Sequence, residues 1–387
     1  MNTKQYSRLI IHQVDLERPS PGGIDTCIRD FCRFAPDGEQ IAVLGVAADC
    51  DHSRVGRWVS VQRAHREFST EFMPVVGSDP ANLARRVPHA IKVVVGVLRR
   101  IRTIPNSKNV QAHRADIALF CLIFFRRPLI YMIHTQQSGI ASSGSDSVWR
   151  RMRRIHEFIE RLVIRRAEQV IVFNPDYVEQ VREANPIAIS SPTWYNPTVF
   201  GPGNRRDSDE IRICWVGRME RPKDPELALR AFLALDQNTD SRVTLTMVGS
   251  GTERGNLIDI VSTLPEPIRA RIFLEGRLPP SSVAAVLQDS SIFLMTSVPG
   301  YEGYPRVLVE AMACGLPCVV TEGSDTGSLV RDGITGYVVS RREPAELAEA
   351  ILQATMIDPK NAIDAVSDLD APTVVRSLID YGKGGRR

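Results

Sequence analysis

The sequence predicts an α/β protein of two doubly wound domains, each a parallel sheet covered by helices. Short apolar segments alternate with helical patterns along the whole chain, which is typical of parallel sheets. A chain of 387 residues is too long for one ordinary core and suits two domains of roughly 150–200 residues. Residues 185–206, rich in Pro, Gly, Ser and Asn, interrupt the pattern and are the predicted linker.

We therefore expect an N-terminal domain over residues 1–200 and a C-terminal domain over residues 201–360. A last helix or tail, residues 361–387, is expected to cross back to the N-terminal domain. Predicted strands of the first half are residues 8–14, 40–46, 129–134 and 169–173, with a further short strand just before His113. Predicted strands of the second half are residues 212–216, 243–248, 292–296 and 317–321. Ligands of such sheets bind beyond the carboxyl ends of the strands.

Charge is distributed unequally along the chain. Residues 1–200 contain 27 Lys and Arg against 19 Asp and Glu, a net charge of +8, whereas the remainder contains 21 against 26, or −5. The first residues lack the apolar core of a signal peptide. The longest apolar run, Ile117 to Phe125, is nine residues, and crossing a bilayer takes roughly 20. The seven scattered cysteines are expected to be reduced and buried, as in a cytoplasmic protein.

The segment 291–339 carries the densest pattern of functional residue types, SIFLMTSVPGYEGYPRVLVEAMACGLPCVVTEGSDTGSLVRDGITGYVV. It predicts a buried strand, a loop, a helix whose first residue is Pro305, and a second buried strand. Glu302 on the loop and Glu310 on the helix are expected to face one pocket, where carboxylates accept hydrogen bonds from neighbouring sugar hydroxyls. The alternative is that Glu302 is solvated and that Glu310 pairs with Arg306.

The first turn of this helix is a second candidate feature of the same segment. The first N–H groups of a helix have no partner within the helix, so they bind anions. We therefore predict an anion site between the two glutamates. Its donors are the amides of Val307, Leu308 and Val309.

This segment resembles the Glu-x7-Glu signature of retaining glycosyltransferase family four. The match also covers Gly303, Ala311-Met312-Ala313, Gly315, Pro317, Asp332-Gly333 and Gly336. In that family the first Glu contacts the donor sugar and the second contacts the nucleotide ribose, which implies these roles for Glu302 and Glu310. Two positions depart from the pattern. Pro305 stands where Gly is common, and Asp325-Thr326-Gly327 replaces the more usual Gly-Gly.

The resemblance implies the GT-B fold, two Rossmann-like doubly wound domains facing an interdomain cleft. It implies that the C-terminal domain binds a UDP-sugar or GDP-sugar and that the N-terminal domain binds a glycan or lipid-linked acceptor. The implied activity is a retaining hexosyl transfer without a metal ion or other cofactor, in cell-envelope or polysaccharide biosynthesis. A sugar phosphorylase or epimerase with this fold and a non-catalytic lipid-binding GT-B scaffold are the alternatives.

The segment 214–224, CWVGRMERPKD, predicts a strand followed by a turn that carries Arg218 and Lys223. Gly217 lets the backbone approach a ligand closely, and two cations at a strand end can neutralise a diphosphate without a metal. The alternative is a solvated surface turn. The spacing of the two cations resembles that of family four, which implies that both hold the donor diphosphate. The segment 247–251, MVGSG, resembles the family's loop near the nucleotide.

In the first half, His134 ends an apolar strand, and Gly22 and Gly23 follow another. Either feature is compatible with a purely structural role. The resemblance implies that His134 contacts the sugar and that the glycine amides approach donor phosphate and acceptor. It also implies that His113 lines the cleft. Asn196 resembles a hinge residue of the family, although the residues that follow it depart from the pattern.

Asp-x-Asp pairs are the metal clamp of the GT-A glycosyltransferases, and the sequence contains three of them. They are Asp49-Cys50-Asp51, Asp207-x-Asp209 and Asp368-x-Asp370. So short a pattern recurs easily by chance, and a clamp needs a rigid loop aimed at the phosphates. Two of the three lie at the end of the predicted linker or in the tail, so we predict no metal site.

Two basic stretches, residues 85–102 and 148–166, account for much of the positive charge. Apolar residues of the second recur at helical spacing and are expected to face the core, namely Val148, Met152, Ile155, Ile159 and Leu162. The arginines then form either a solvated face or a contact with anionic lipid, which would make the protein peripheral at the inner face of the plasma membrane. Nucleic acid is not predicted, because no motif or aromatic platform accompanies the charge.

Overall fold

The fold is known from a computed structural model, which describes residues 5–18, 22–64, 69–78, 89–134, 153–203 and 210–384. The chain divides into two compact units. The first domain is Met1–Pro192 together with Ala371–Arg387, and the second is Thr193–Asp370. The first division falls inside the predicted linker. The predicted boundaries after residues 200 and 360 lie 8 and 10 residues from these divisions.

The described residues of the first domain form one eight-stranded sheet. Its strands are β1 (Tyr6–Ile11), β2 (Ile41–Ala47), β3 (Val59–Gln62), β4 (Ser69–Gly77), β5 (Ser107–Ala112), β6 (Leu129–Ile133), β7 (Gln169–Val172) and β8 (Ile189–Ser190). The order is β3-β4-β2-β1-β5-β6-β7-β8, and every neighbouring pair except β3–β4 is parallel. The strand order reverses between β1 and β5, so ligands are expected beyond the ends of these two strands.

Helices connect these strands and cover the sheet. They are α1 (Gly23–Phe34), α2 (His89–Leu98), α3 (Ala115–Phe124), α4 (Arg153–Arg166) and α5 (Pro175–Arg182), with a 3-10 turn at Ile101–Thr103. The core is formed by the apolar side chains of β1, β2 and β5–β7 together with the inner faces of the helices. Strands buried on both faces explain the nearly continuous apolar runs in the sequence.

The described residues of the second domain form a parallel six-stranded sheet in the order β11-β10-β9-β12-β13-β14. Its strands are β9 (Ile211–Val216), β10 (Val243–Val248), β11 (Ile272–Glu275), β12 (Ile292–Met295), β13 (Cys318–Thr321) and β14 (Gly336–Val339). Its helices are α6 (Pro225–Gln237), α7 (Arg254–Ser262), α8 (Glu266–Arg269), α9 (Pro280–Asp289), α10 (Arg306–Ala313), α11 (Pro344–Ala354) and α12 (Pro359–Ala365), with a 3-10 turn at Arg221–Lys223. Here the order reverses between β9 and β12.

The last helix, α13 (Ala371–Gly384), belongs to the first domain and contacts α1. Each of the eight predicted strands that were given boundaries is present, with ends within three residues of the prediction. Pro305 precedes the helix that it was predicted to begin, since it is the N-cap of α10. None of the seven cysteines, all of which lie in the described ranges, forms a disulfide. Six are buried, but Cys50 is exposed, because it follows the turn after β2. Within the described ranges, no helix has the length and apolarity needed to cross a membrane.

Candidate active site

The predicted donor-binding residues of the second domain lie where its strand order reverses. Arg218 and Lys223 follow the end of β9, and Glu302 follows the end of β12, the neighbouring strand. The carboxyl ends of parallel strands meet at one edge of a sheet, so residues about 80 positions apart become neighbours. This edge is the candidate active site of the second domain.

Lys223 and Glu302 form an ion pair at this edge. The Lys223 Nζ donates to Glu302 Oε1 over 2.5 Å, and the Ser297 hydroxyl donates to the same oxygen over 2.5 Å. The two charged side chains are only 14% and 10% exposed. The alternative that Glu302 is a solvated loop residue is therefore wrong. A cation and a carboxylate held together in a nearly buried position can contact adjacent anionic and hydroxyl groups of one ligand.

Arg218 reaches the same cluster through Tyr301. Its guanidinium donates to the Tyr301 hydroxyl, and the Lys223 Nζ lies 5.8 Å from the centre of the Tyr301 ring. Burial is the main cause that raises the pKa of Tyr301, so the phenol is neutral and acts as the acceptor for Arg218. Arg218 itself is exposed, which leaves its other N–H groups accessible from solvent. We call Arg218, Lys223, Ser297, Tyr301 and Glu302 the Lys223 cluster.

Glycines allow the loops after β9 and β10 to stack directly on one another. A Cβ on Gly249, whose φ is +141°, would lie 1.9 Å from the carbonyl oxygen of Gly217, and one on Gly251 would lie 2.2 Å from that of Met219. The Met219 amide donates to the Ser250 carbonyl over 3.1 Å. Only residues without a side chain fit this contact, which positions the backbone beside Arg218.

Replacing Gly249 with Ala should therefore destabilise the second domain. We expect a loss of roughly 2–4 kcal/mol, because the new methyl group collides with backbone and the positive φ is strained. Gly255→Ala is the matched control, since it lies in α7 with no atom within 4 Å of the added Cβ. That variant should be neutral or more stable by up to about 1 kcal/mol. Thermal unfolding of both variants measures the difference, and equal midpoints would contradict the tight loop contact.

Arg342 holds together three loops around the cluster and was not singled out in the sequence. Its guanidinium donates to Asp224 Oδ2 over 2.6 Å, to the Thr296 carbonyl over 2.9 Å and to the Ser297 carbonyl over 2.8 Å. Asp224 follows Lys223 directly and caps α6 in a left-handed conformation. No local pattern in the sequence marks Arg342, because these three partners are 45 to 118 residues away.

Glu310 has a different partner from Glu302. Its Oε1 accepts from Arg306 Nε over 2.7 Å along α10, as the alternative interpretation of the sequence proposed.

The predicted anion site at the start of α10 is wrong at two of its three donors. The amides of Leu308 and Val309 both donate to the Pro305 carbonyl, because the first turn of the helix closes on its own N-cap. Val307 is the remaining candidate donor of the three.

The departure from the family pattern at Asp325-Thr326-Gly327 has structural consequences of its own. Asp325 accepts from the amides of Gly327 and Val330, and the Thr326 hydroxyl donates to the carbonyl of the buried Gly303. Burial is the main cause that raises the pKa of Asp325. The turn that follows β13 is therefore hydrogen-bonded to the loop that carries Glu302.

In the first domain, three histidines and a phenylalanine form a row along one edge of the sheet. His12, His113, His134 and Phe173 each come directly after one of the neighbouring strands β1, β5, β6 and β7. His113 Nδ1 lies 2.8 Å from His134 Nε2, and the His134 ring stacks on Phe173 with centroids 4.6 Å apart. The His12 ring meets the His113 ring edge-on at 5.7 Å. We call these four residues the histidine row.

Two histidines of the row, His113 and His134, are neutral at physiological pH. Burial is the largest cause that lowers the pKa of His113 well below its usual range, with further contributions from His134, His12 and Arg8. Burial and His12 lower the pKa of His134 to about 3. His12 was missed in the sequence because the predicted strand over residues 8–14 contained it, whereas β1 ends at Ile11 and His12 follows directly.

The predicted glycine loop lies next to the histidine row. Gly22, with φ +146°, is the N-cap of α1, and Gly23 is the first residue of that helix. A Cβ on Gly22 would lie 3.9 Å from the Asp25 carboxyl carbon, and the Asp25 carboxylate is 3.4 Å from His12 Nε2. The structure thus brings both predicted sites of the first domain to the ends of β1, β5 and β6.

The Asp-x-Asp pair after β2 is engaged by arginines. Asp49 pairs with Arg18 over 2.8 Å and with Arg54 over 3.0 Å, and Arg54 also binds Asp15. The pair 207–209 lies outside the described residues. Across the described ranges, no cluster of three or more His, Cys, Asp and Glu side chains is arranged to hold a metal ion.

The basic stretches correspond to α2 and α4, and residues 85–88 and 148–152 lie outside the described residues. The prediction that Ile155 faces the core is wrong, because it is 48% exposed while Val163 and Ile164 occupy the core side of α4.

Seven large apolar side chains on α2, α3 and α4 are exposed, and α3 contacts both other helices. We call them the apolar face: Ile91, Val95, Leu98, Ile123, Phe124, Ile155 and Phe158.

Residues 210–356 match the family model of the group 1 glycosyl transferases. The chain is 29% identical over 256 residues to the D-inositol 3-phosphate glycosyltransferase of Corynebacterium diphtheriae, covering 60% of this chain and 58% of that protein. The protein of the same name from Nocardiopsis dassonvillei is 29% identical over 337 residues, with 76% of each chain covered. The chain thus spans little more than half the length of the first of these relatives.

Solved structures resemble the whole chain. Sucrose-phosphate synthase from Thermosynechococcus elongatus superposes with a TM-score of 0.76, at 18% identity and 98% coverage of both chains. Anabaena HepE, solved in complex with UDP and glucose, superposes with a TM-score of 0.67 at 18% identity, covering 98% of this chain and 100% of that one. These structural similarities confirm the predicted GT-B fold. The match of residues 210–356 and the curated relatives support the resemblance to a family of glycosyltransferases.

Proposed function

We propose that this chain is a retaining hexosyltransferase. Its GT-B fold and the match of residues 210–356 to the family model of the group 1 glycosyl transferases support this proposal. The donor is a nucleotide diphosphate sugar, UDP-linked or GDP-linked, bound by the second domain. The acceptor is a hydroxyl group of a glycan or lipid-linked molecule bound by the first domain. The proposed role is in cell-envelope or polysaccharide biosynthesis.

The observation that carries this proposal is the Lys223 cluster at the point where the strand order reverses. As the bond from sugar C1 to the phosphate oxygen breaks, negative charge grows on the leaving diphosphate. Lys223 and Arg218 can stabilise that charge as it develops. Glu302, held by Lys223 and Ser297, accepts from donor sugar hydroxyls. Glu310 accepts from the nucleotide ribose.

The anomeric configuration of the donor sugar is retained if the acceptor hydroxyl attacks C1 from the face that the leaving phosphate occupies. The acceptor oxygen forms the new bond to C1, the bond to the phosphate breaks, and the hydroxyl proton passes to the phosphate oxygen. Two protein cations supply the charge that a metal would otherwise provide. The proposed reaction is therefore independent of metal ions.

Direct assay of the reaction tests this function. The protein is incubated with UDP-glucose or GDP-mannose and a panel of sugar-phosphate and glycan acceptors, with and without EDTA, and the products are analysed for anomeric configuration. We expect an acceptor-dependent α-linked product whose formation EDTA does not change. A sugar 1-phosphate formed from added phosphate would indicate a phosphorylase, and an isomerised donor without acceptor would indicate an epimerase. Loss of activity in EDTA with rescue by Mn²⁺ would contradict the metal-free mechanism.

The affinity for free nucleotide distinguishes the proposed roles of Glu302 and Glu310. Glu310→Ala should weaken binding of the free nucleotide diphosphate about tenfold or more, because a charged acceptor to the ribose is lost. Glu302→Gln should lower turnover and leave that affinity nearly unchanged. Arg306→Met is the matched control, since it removes the partner of Glu310 but keeps the carboxylate. Calorimetric titration with UDP and GDP gives the affinities, and equal losses in all three variants would contradict the ribose role.

We further propose that the first domain is peripheral at the inner, anionic face of the plasma membrane. The apolar face supports this, with Phe158 69% and Ile123 64% exposed. Exposed arginines lie on the same elements or next to them, at Arg99, Arg102, Arg126, Arg161 and Arg165. Apolar side chains flanked by cations are typical of surfaces that bind anionic lipid, and each cation near the membrane contributes about 1 kcal/mol.

Co-sedimentation with liposomes tests the membrane proposal. The wild type should bind vesicles containing phosphatidylglycerol at low salt and lose most of that binding at high salt, because exposed charges are screened. Phe158→Ser combined with Arg161→Glu and Arg165→Glu should abolish binding. Met356→Ser, which removes an 87% exposed side chain of the second domain, should leave it intact. Wild-type protein that ignores anionic vesicles at low salt would make a soluble acceptor the better hypothesis.

A further inference from the structure

A directional chain of hydrogen bonds runs through the first domain and ends at His134. It begins at Arg8 of β1, which is 3% exposed and donates through Nη1 to Gln111 Oε1 over 2.5 Å. A guanidinium has only donors. Burial lowers the pKa of Arg8 to about 10, so it stays charged at neutral pH. Gln111 must therefore present its oxygen to Arg8.

The amide nitrogen of Gln111 then points along the chain. Gln111 Nε2 lies 2.7 Å from His113 Nε2, and an amide nitrogen can only donate. His113 Nε2 is therefore the acceptor. A neutral imidazole carries one proton, so that of His113 resides on Nδ1.

The hydrogen bond between His113 and His134 has a fixed direction as well. His113 Nδ1 lies 2.8 Å from His134 Nε2, so it donates its proton to that atom. His134 Nε2 is then an acceptor, and the proton of His134 resides on Nδ1. The opposite direction would turn the amide group of Gln111 towards Arg8 and set two buried donors against each other, which costs at least as much as a lost hydrogen bond.

We propose that Arg8, Gln111 and His113 are positioning residues that hold His134 in its Nδ1–H tautomer. His134 thereby offers a ligand one neutral N–H donor. It cannot serve as a general base, because one ring nitrogen carries the proton and the lone pair of the other is occupied. The complementary ligand group is an oxygen with a free lone pair, such as a sugar hydroxyl or a phosphate oxygen.

His134 is the member of the row suited to this contact. His12 and His113 are 1% and 5% exposed, whereas His134 is half-buried. Phe173 covers one face of its ring, and the neighbouring titratable groups are His113 and the His12–Asp25 pair. The identification of the ligand as a sugar substrate rests on the proposed function. The assignment of the His134 tautomer does not depend on that function.

Nitrogen NMR of the full-length protein, labelled with ¹⁵N at histidine, tests the proposal at pH 8.5. Free neutral histidine favours the Nε2–H tautomer, so two Nδ1–H rings are a distinctive signature. We expect both His113 and His134 to carry the proton on Nδ1, with assignment by His134→Gln. An Nε2–H tautomer at His134 in the wild type would overturn the proposal without reference to activity.

Gln111→Glu should reverse the chain. A carboxylate accepts from Arg8 on one side and from His113 Nε2–H on the other, so both rings should switch to the Nε2–H tautomer. Gln13→Glu, half-buried beside His12 and outside the chain, is the charge-matched control and should change neither ring. If Gln111→Glu leaves both tautomers unchanged, these residues do not position His134.

Activity adds a second, separate measurement. Once donor and acceptor are identified, Gln111→Glu should lower kcat/KM at least tenfold, because a lone pair replaces the N–H that faces the ligand. Gln13→Glu should retain wild-type kcat/KM. Reversed tautomers with unchanged kcat/KM would overturn the positioning role in the reaction. A protein with the Nδ1–H signature and no transferase activity would refute the proposed function alone.

Discussion

Lys223→Met should lower kcat/KM by about 10²–10³-fold. Removing one preorganised donor from a site where negative charge develops has that effect in other enzymes, and Lys223 is held in place by Glu302 over 2.5 Å. Arg221→Met is the matched control, because Arg221 lies in the same 3-10 turn and its side chain is 90% exposed. Steady-state kinetics with the preferred donor measures both variants, and the control should stay within about twofold of wild type.

The same substitution should also destabilise the second domain, which needs to be separated from the catalytic loss. Without Lys223, a nearly buried carboxylate has lost its cation, and breaking such a pair costs about 3 kcal/mol. The double variant Lys223→Met/Glu302→Gln should recover much of this stability, because no charge is left without its partner. It should not recover turnover. If it does, the ion pair is structural and does not act on the diphosphate.

Acid should destabilise the first domain below pH 6.5 through the histidine row. His113 and His134 have a pKa in the native state well below the ordinary value, about 3 for His134. In the unfolded chain both titrate near 6.5. The unfolded state therefore binds more protons, and stability present above pH 6.5 is lost as the pH falls. Between its native and unfolded pKa values each histidine contributes about 1.4 kcal/mol per pH unit, which is about 3 kcal/mol for His134 alone at pH 4.5.

Hydrogen exchange of the β1 and β5 amides, followed from pH 7.5 to pH 4.5, measures this loss within the first domain. The double variant His113→Asn/His134→Gln starts from a lower stability, but its stability should fall less steeply with acid. His52→Asn, at an exposed position after β2, should retain the wild-type slope. Parallel slopes for wild type and double variant would contradict neutral histidines in the native row.

The sequence by itself determined the elements that depend on local pattern. The predicted strands are mostly apolar and mostly buried within parallel sheets, and residues 243–248 match β10 at both ends. Strand β4 was not predicted, because its nine residues contain Pro74, which is unusual inside a sheet. The structure accommodates Pro74 where the pairing with β2 shifts register at Gly45 and Val46.

Candidate site residues could also be found locally, since they follow strand ends or glycine loops. Lys223, Glu302 and His134 all have that signal. The local pattern failed at the first turn of α10, where it predicted free amides at Leu308 and Val309. Whether such amides are free depends on how the preceding residue closes the turn, which residue types alone do not specify.

Only the tertiary structure decided which of these residues act together. Lys223 meets Glu302 across 79 positions, Arg8 meets Gln111 across 103, and Arg342 meets Asp224 across 118. Hydrophobic periodicity reports how each segment is buried, but not which strand lies beside it. Strand order is set by the crossovers of the parallel sheets, and it brings the ends of distant strands to one edge. The Lys223 cluster and the chain from Arg8 to His134 therefore exist only in the folded domains.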